Sequence, residues 1–253
     1  MSNNIDLSTA DRVTTLTIAR ADKKNAITQD MYAAMAEAIT DYGQDMDVRA
    51  LVITGAGDMF TAGNDLQDFS TGGADQDEIP PVSRFLHALR DCPKPVVAAV
   101  NGPAIGVGLT MLLHCDLVYA GQSATFNAPF VKLGLVPEAA SSLLLPAAVG
   151  MAVANDILLA GRTLNAEEAL RFGLIARIFP DGELQEAARQ IALHIASSAP
   201  NALRQSKSLI RNQRDQIADQ MQAEGRLFVD QLQSPDFRES VAAMMEKRAP
   251  NYG

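Results

Sequence analysis

Residues 98–120 read AAVNGPAIGVGLTMLLHCDLVYA, a stretch that begins with small apolar residues and turns through three glycines. The apolar residues 96–100 follow Pro95 and carry no charge, so they predict a buried strand. Residues 101–108 are rich in glycine and predict a tight turn, and residues 109–114 continue as a helix. A helix N-terminus carries free N–H groups and partial positive charge. The stretch therefore predicts a strand, a turn and a helix start that suit an anionic oxygen.

A second glycine-containing segment, residues 59–66 (MFTAGNDL), has the same character. It follows residues 50–54 (ALVIT), a short apolar run that predicts another buried strand. Glycines after strands commonly do no more than turn the chain, so either segment alone says little about function. Two such turns side by side would hold an anionic oxygen between two backbone N–H donors.

The rest of the first half alternates between strand-like and helical patterns. Residues 13–19 mix threonines with apolar residues and predict a half-buried strand. Thr28 precedes four large side chains at helical spacing, which predict a helix: Met31, Met35, Ile39 and Tyr42. Further on, the patterns predict a loop over 70–81, a helix over 82–89, and strands over 116–120 and 124–126.

Beyond residue 134 the pattern is mainly helical. Asn165 and Glu168 form a capping box for a helix over residues 166–172. Three further helices are predicted: one from Asp181 to about 198, one long amphipathic helix over 201–232, and one over 236–247, opened by Ser234 and Pro235. The predicted class is α/β, with a core over residues 1–199 and a C-terminal helical region over residues 200–253.

The composition is that of an acidic globular protein. The 253 residues are 47% hydrophobic and 20% charged, which favours a substantial core over disorder. The 21 basic and 30 acidic residues give a formal charge of −9, so we expect no nucleic-acid partner. No apolar run is long enough to cross a bilayer, and residues 1–10 do not resemble a secretory signal. We therefore expect a cytoplasmic protein without a membrane partner.

The cysteines and histidines do not form a metal-binding pattern. Cys92 and Cys115 lie beside apolar runs, and we expect both to be buried free thiols. His87, His114 and His194 are scattered along the chain without metal-ligand spacing. We therefore expect no metal site.

Six segments resemble the crotonase superfamily, which comprises enoyl-CoA hydratases, isomerases and their relatives. FTAGNDL is similar to the superfamily's F-[ST]-A-G-x-D-[LI] element, and residues 98–120 are similar to its A-x-x-N-G-x-A-x-G-x-G…CD[LI] element. The other four similar segments are residues 21–27, with Ala21 in place of a proline, and residues 126–150, 161–175 and 234–250. The resemblance covers nearly the whole chain and is closest to the peroxisomal-type Δ3-Δ2-enoyl-CoA isomerases and their bacterial relatives.

The resemblance implies the crotonase fold, a spiral of ββα units followed by a C-terminal helical region that packs trimers. The implied ligand is an acyl-CoA thioester, and the implied assembly is a homotrimer or a dimer of trimers. No cofactor is implied, because coenzyme A is part of the substrate.

The resemblance also implies an oxyanion hole and a binding site for coenzyme A. The backbone N–H groups of Ala62 and Val107 would form the hole, with valine standing where the superfamily commonly has glycine. The residues implied to lie near the substrate are Lys24, Asn25, Ala26, Ala62, Gly63, Asn64, Asp65, Leu66, Gly106, Val107, Phe130 and Lys247. For the two lysines the alternative is a solvated surface charge, and for Asn64 it is support of the turn.

The acid–base side chains decide which reaction such a hole serves. Hydratases of the superfamily use two glutamates, and the matching positions here are Thr110 and Phe130, neither of which transfers protons at neutral pH. Glu138 resembles the catalytic glutamate of the isomerases, and its apolar neighbours would raise its pKa. One carboxylate suffices to move a proton from C2 to C4 of a 3-enoyl thioester. The sequence therefore predicts an enoyl-CoA isomerase with Glu138 as the proton shuttle.

Several alternatives stay open at this point. Glu138 follows Pro137, and its carboxylate would then serve only to begin a helix. The reaction could instead be hydration, ring-opening isomerisation or thioester hydrolysis, or the protein could be an acyl-CoA-binding scaffold with little catalysis. We expect Thr110 to hydrogen-bond within its helical turn and Asp116 to have a structural role at the start of a strand.

Overall fold

The computed structural model describes residues 4–65 and 79–253. The strands in these residues are β1 (Ile5–Ala10), β2 (Val13–Ile18), β3 (Ala50–Gly55), β4 (Val96–Val100), β5 (Ala104–Ile105), β6 (Leu117–Gly121), β7 (Thr125–Asn127), β8 (Leu164–Asn165) and β9 (Arg177–Phe179). The α-helices are α1 (Gln29–Gln44), α2 (Pro81–Asp91), α3 (Val107–Thr110), α4 (Ser141–Val149), α5 (Met151–Leu158), α6 (Ala166–Phe172), α7 (Leu184–Ser197), α8 (Pro200–Ile210), α9 (Arg214–Leu232) and α10 (Pro235–Met245). The structure is of the predicted α/β class, with a helical C-terminal region.

The larger of two sheets has six strands in the order β1-β2-β3-β4-β6-β9. β1 and β2 form an antiparallel hairpin, and the two residues of its turn, Asp11 and Arg12, have φ values of 53° and 67°. Tight hairpins favour this conformation because it matches the right-handed twist of the strands. All later pairings in this sheet are parallel. The smaller sheet has the order β5-β7-β8.

Helices cover both faces of the larger sheet. β3 and β4 are buried along their whole length, as parallel strands between two layers are. On one face Leu51 belongs to the same core cluster as Met31 and Phe85, and on the other Val52 packs with Leu184. Because β3 and β4 are neighbouring parallel strands, the two glycine segments both follow the carboxyl ends of these strands, at the same end of the sheet.

The N-terminal strand β1 was not predicted from the sequence. Its residues after Ile5 are all exposed. The strand lies at the edge of the sheet and is held by backbone pairing to β2. An exposed edge strand does not need alternating apolar residues, so the polar sequence of residues 5–10 gave no strand prediction.

The helices predicted over 201–232 and from Asp181 have different bounds in the structure. The single helix expected over 201–232 is interrupted between α8 and α9, where the Arg211 guanidinium donates to the backbone oxygens of Leu113 (2.9 Å) and Cys115. The helix expected from Asp181 begins at Leu184, because the Asp181 carboxylate accepts from the Ser123 N–H at 3.0 Å. Both differences arise from contacts with distant segments.

Other local signals are confirmed. Thr28 and Ser234 cap α1 and α10, and Asn165 forms the predicted capping box at α6. The helix expected over 109–114 begins earlier, as α3, and continues as a 3₁₀-helix over Met111–His114. Both cysteines are buried free thiols.

The C-terminal helices are tied to the sheet by a partly buried ion pair. The Lys207 ammonium of α8 donates to Asp116 Oδ2 at 2.7 Å and to Lys94 O at 2.8 Å. The same Asp116 oxygen accepts from the Val96 N–H at 2.8 Å. Asp116 therefore has the structural role that was predicted for it.

Candidate active site

The two glycine segments run side by side beyond the carboxyl ends of β3 and β4. The Thr61 N–H donates to Pro103 O at 3.1 Å, and the Ile105 N–H donates to Thr61 O at 3.0 Å. Gly63 has a φ of 90°, and a Cβ atom there would lie 2.8 Å from Ile105 O. Glycine alone permits this conformation and approach. The pairing brings Asn64 beside the turn that opens α3.

Two backbone amides at this junction, those of Asn64 and Val107, make no hydrogen bond within residues 4–65 and 79–253. Val107 is the first residue of α3, a position whose N–H has no acceptor within the helix. The preceding Gly106 has a φ of 59° and donates to Asn127 O at 2.8 Å, which fixes the direction of the turn. Each segment thus contributes one N–H group that is available to an anionic oxygen.

The structure corrects the prediction that Ala62 supplies one of these donors. Its N–H group already donates to Lys24 O at 3.0 Å, and the Gly63 N–H donates to Thr61 Oγ1 at 3.1 Å. The Asp65 N–H donates to Ile27 O at 2.9 Å. Among these residues, the unpaired amide of the segment is therefore that of Asn64, two residues after the predicted position.

The Glu138 carboxylate lies against α3. The Thr110 hydroxyl donates to Glu138 Oε1 at 2.8 Å, and Thr110 lies one helical turn after Val107. The expected bond of Thr110 within its own helix is longer, 3.5 Å to Val107 O. Glu138 precedes α4, which begins at Ser141, and its carboxyl bonds to α3 instead of beginning that helix. The helix-start alternative for Glu138 is therefore not what the structure shows.

The surroundings of Glu138 raise its pKa to about 7. Burial is the largest cause, because it disfavours the charged carboxylate. The hydrogen bond from Thr110 opposes this effect, and the negative charge of Glu224 adds to it. A carboxyl group with this pKa populates both protonation states near neutral pH, as a group that takes and returns a proton must.

Tyr32, which the sequence analysis did not single out, contacts Asn64 and lies within reach of the charge of Glu138. It is fully buried in α1, and its hydroxyl donates to Asn64 Oδ1. Burial and the charge of Glu138 raise the Tyr32 pKa well above its ordinary value, so the hydroxyl stays protonated. Asn64 therefore has the supporting contact that was considered for it, in addition to its unpaired amide.

A strained turn follows Glu138. Ala139 and Ala140 have φ values of 61° and 55°, a left-handed conformation that costs an alanine about 1 kcal/mol. His114 Nε2 donates to Ala139 O at 2.8 Å, since a carbonyl oxygen can only accept. Burial lowers the His114 pKa to about 4, so the imidazole is neutral at ordinary pH. The buried Glu224 of α9 accepts from the Ser142 N–H on the other side of the turn, at 3.0 Å.

The residues predicted near coenzyme A fall into two groups. Asn25 is fully buried, and its side chain donates to Ala56 O at 2.8 Å and Met59 O at 2.6 Å, so it supports the turn and is not presented to a ligand. Asp65 forms an ion pair with Arg20 at 2.6 Å, a partner that the sequence analysis missed. In the sequence, Arg20 is a single basic residue directly after the strand predicted over residues 13–19, and nothing there indicates Asp65 as its partner.

The other predicted positions differ in their burial. Lys24 and Lys247 are exposed, Phe130 is buried, and Ala26 O accepts from Arg20 at 3.0 Å. Leu66 and most of the predicted loop over 70–81 lie outside the described residues.

The described residues contain no cluster of histidine, cysteine and acidic side chains that could hold a metal ion. In the same part of the chain, no helix combines the length and apolar character needed to cross a membrane.

Comparison with known proteins extends these observations to a family. The family model described as enoyl-CoA hydratase/isomerase matches residues 8–253. The crystal structure of an enoyl-CoA hydratase/isomerase from Pseudoalteromonas atlantica T6c is 52% identical and superposes with a TM-score of 0.97. That match covers 99% of this chain and 100% of the other.

Three similar proteins carry three different reaction names. Enoyl-CoA delta isomerase 2 from Rattus norvegicus is 38% identical over 85% of this chain, which spans 56% of the rat protein. The 1,2-epoxyphenylacetyl-CoA isomerase of Escherichia coli (strain K12) is 36% identical over 95% of this chain and 94% of its own length. Carnitinyl-CoA dehydratase from Salmonella typhi is 35% identical, with coverages of 99% and 98%. The chain belongs to the enoyl-CoA hydratase/isomerase family and has the crotonase fold.

Proposed function

We propose that this protein is an enoyl-CoA isomerase that moves the double bond of a 3-enoyl-CoA to position 2, with Glu138 as the proton shuttle. The amide N–H groups of Asn64 and Val107 bind the thioester oxygen. Glu138 takes a proton from C2, and the electron pair spreads over the thioester and the C3–C4 double bond as a dienolate. The same carboxyl group returns the proton to C4, so no atom is gained or lost.

The hydrogen bond between Thr110 and Glu138 is the observation that carries this proposal. Because Thr110 lies one turn after Val107, the bond holds the carboxyl close to a proposed oxyanion donor. Removal of a C2 proton requires this neighbourhood, since C2 is bonded to the carbon that carries the thioester oxygen. The pKa of about 7 suits a group that first accepts and then donates.

Hydration is the second candidate, because a dehydratase is among the relatives. In the superfamily this reaction uses a second glutamate, and Thr110 and Phe130 occupy the two matching positions. The carboxylate whose charge acts on Glu138 belongs to Glu224, which is 5% exposed and hydrogen-bonded to Ser142. Among the residues that the structure describes, this leaves one carboxylate available at the site, which favours isomerisation over hydration.

The test compares 3-enoyl-CoA isomerisation with 2-enoyl-CoA hydration on one preparation of enzyme. Glu138→Gln should lower kcat for isomerisation by about 10²- to 10⁴-fold, the usual contribution of a general acid–base group. Glu167→Gln, an exposed carboxylate on α6, is the matched control and should leave kcat unchanged.

Each other result points to a different conclusion. Undiminished isomerisation by Glu138→Gln would remove Glu138 from the mechanism. Faster hydration, ring-opening isomerisation or thioester hydrolysis would replace the reaction proposed. Acyl-CoA binding without turnover would leave a scaffold protein.

We also propose a homotrimer or a dimer of trimers as the assembly, with coenzyme A lying against Lys24 and Ala26 and near Lys247. Large apolar side chains on the C-terminal helices are exposed in the single chain: Leu209, Ile210, Leu227 and Val229. Burial of such side chains between subunits would be favourable. Light-scattering mass in solution tests the assembly, and a monomer would reject it.

A further inference from the structure

We propose that Glu224 is a positioning residue for Glu138: from α9 it holds the turn at 139–142 that directs the Glu138 carboxyl, and it places a second negative charge near that carboxyl. This inference rests on the proposed role of Glu138. Glu224 is a C-terminal helix residue that lies outside all six family-like segments, and the proton transfer described above does not use it.

Glu224 caps helix α4 from another element of the fold. The N-cap residue of α4 is Ala140, whose side chain offers no hydrogen-bond acceptor. Glu224 Oε1 accepts from the Ser142 N–H at 3.0 Å and from the Ser142 hydroxyl. A carboxylate at this position also interacts favourably with the helix dipole. Glu224 thus supplies the cap that the local sequence lacks.

The capped segment sets the direction of Glu138. Only the two left-handed alanines separate Glu138 from Ser141, whose N–H donates back to Glu138 O at 3.0 Å. Without the cap, the turn loses one of its two outside supports, and the alanines are more stable at negative φ. That rotation would turn the Glu138 carboxyl away from Thr110. The cap is therefore part of the geometry that aims the shuttle.

The second contribution of Glu224 is its charge. Glu224 is buried, and its Oε2 has no hydrogen-bond partner within the described residues. Burial is the largest cause of the raised pKa of Glu138, the Thr110 hydroxyl opposes it, and the charge of Glu224 adds to it. The charge of Glu138 in turn acts on Tyr32, whose hydroxyl stays protonated because its pKa is raised well above its ordinary value. Removal of the Glu224 charge should therefore lower the pKa of Glu138.

Two substitutions separate the cap from the charge. Glu224→Gln keeps an acceptor oxygen for Ser142 and removes the charge, whereas Glu224→Ala removes both. Asp230→Asn is the matched control, because it removes an exposed carboxylate from the same helix. The readouts are the midpoint of the Glu138 carboxyl titration, followed by ¹³C NMR, and the pH profile of kcat/KM. The NMR midpoint does not depend on turnover.

In Glu224→Gln, the NMR midpoint and the acidic limb of kcat/KM should move to lower pH by about half a unit, with kcat on the plateau within about threefold of the parent. In Glu224→Ala, kcat should fall about tenfold or more while KM changes little, because the carboxyl is misdirected. Asp230→Asn should match the parent in every readout.

An unmoved midpoint in Glu224→Gln overturns the electrostatic part of the inference, and an undiminished kcat in folded Glu224→Ala overturns the positioning part. Thermal unfolding shows whether each variant is folded, and the glutamine variant suffices for the charge if the alanine variant is not. A shifted midpoint in a protein that does not isomerise 3-enoyl-CoA supports the link between Glu224 and Glu138. The same result rejects the proposed function.

Discussion

The turn that opens α3 and the turn that opens α4 place the two halves of the candidate site by different means. The first reaches its shape through Gly106 at a φ of 59°, a conformation that has no steric cost for glycine. The second has two alanines at positive φ, held from outside by His114 and Glu224. The turn before α3 thus has a glycine at its positive φ, whereas the turn before α4 has alanines there and depends on distant side chains.

This difference has a consequence for stability and activity. A turn that its own glycines define fails when a glycine is replaced, whatever surrounds it. A turn that distant side chains enforce responds to changes in those side chains, and to the pH at which they titrate. The effects of substitutions in the two turns on stability and activity should therefore differ in size and in pH dependence.

Gly63→Ala should have the largest effect on stability, because Gly63 packs closely against the turn that opens α3. The new Cβ would lie 2.8 Å from Ile105 O at a φ of 90°, so the paired segments must separate. We expect a loss of about 3 kcal/mol in the free energy of unfolding. Urea unfolding measures it.

The control is Gly225→Ala within α9, where a new Cβ meets no atom within 4 Å. Alanine is a better helix residue than glycine, so this variant should gain about 0.5–1 kcal/mol. Equal stabilities for the two variants would contradict the close packing of Gly63 against Ile105.

The same contrast explains which parts of the structure were predictable. Strand, turn and helix around residues 98–120 were predictable because apolar runs and glycines act locally. The choice between Ala62 and Asn64 as the donor was not, because Lys24, from an earlier loop, accepts the Ala62 N–H. The roles of Tyr32 and Glu224 were likewise hidden, since each depends on contacts that only the folded chain creates.

His114, which holds the turn that opens α4, should make the free energy of unfolding depend on pH. Burial lowers its pKa from the ordinary 6.5 to about 4, so between these values the unfolded chain binds a proton that the folded chain does not. Its contribution is complete above pH 6.5 and is lost as the pH falls to 4, up to about 3 kcal/mol. Glu138 acts in the opposite direction, because its raised pKa makes folding less favourable as the pH rises from 4.5 to 7.

His114→Gln isolates the histidine, because a glutamine amide can still donate to Ala139 O but does not titrate. The free energy of unfolding of the parent minus that of the variant should fall as the pH is lowered from 6.5 to 4. The comparison is best made in a Glu138→Gln background, which removes the opposing contribution. A difference that stays constant over this range would show that His114 titrates alike in the folded and unfolded chains.

Ala140→Gly alone should have the smallest effect on stability and kcat. Its effect is most informative in combination with Glu224→Ala. Glycine at a φ of 55° escapes a cost of about 1 kcal/mol, and the greater freedom of the unfolded chain offsets much of this gain. With the cap intact, kcat should change by less than about twofold, because the turn keeps its shape. In a Glu224→Ala background the glycine should restore part of the lost kcat, since the turn then needs less support. A double-mutant cycle on kcat measures this coupling, and additive effects would mean that Glu224 acts on Glu138 by some route other than the backbone of the turn.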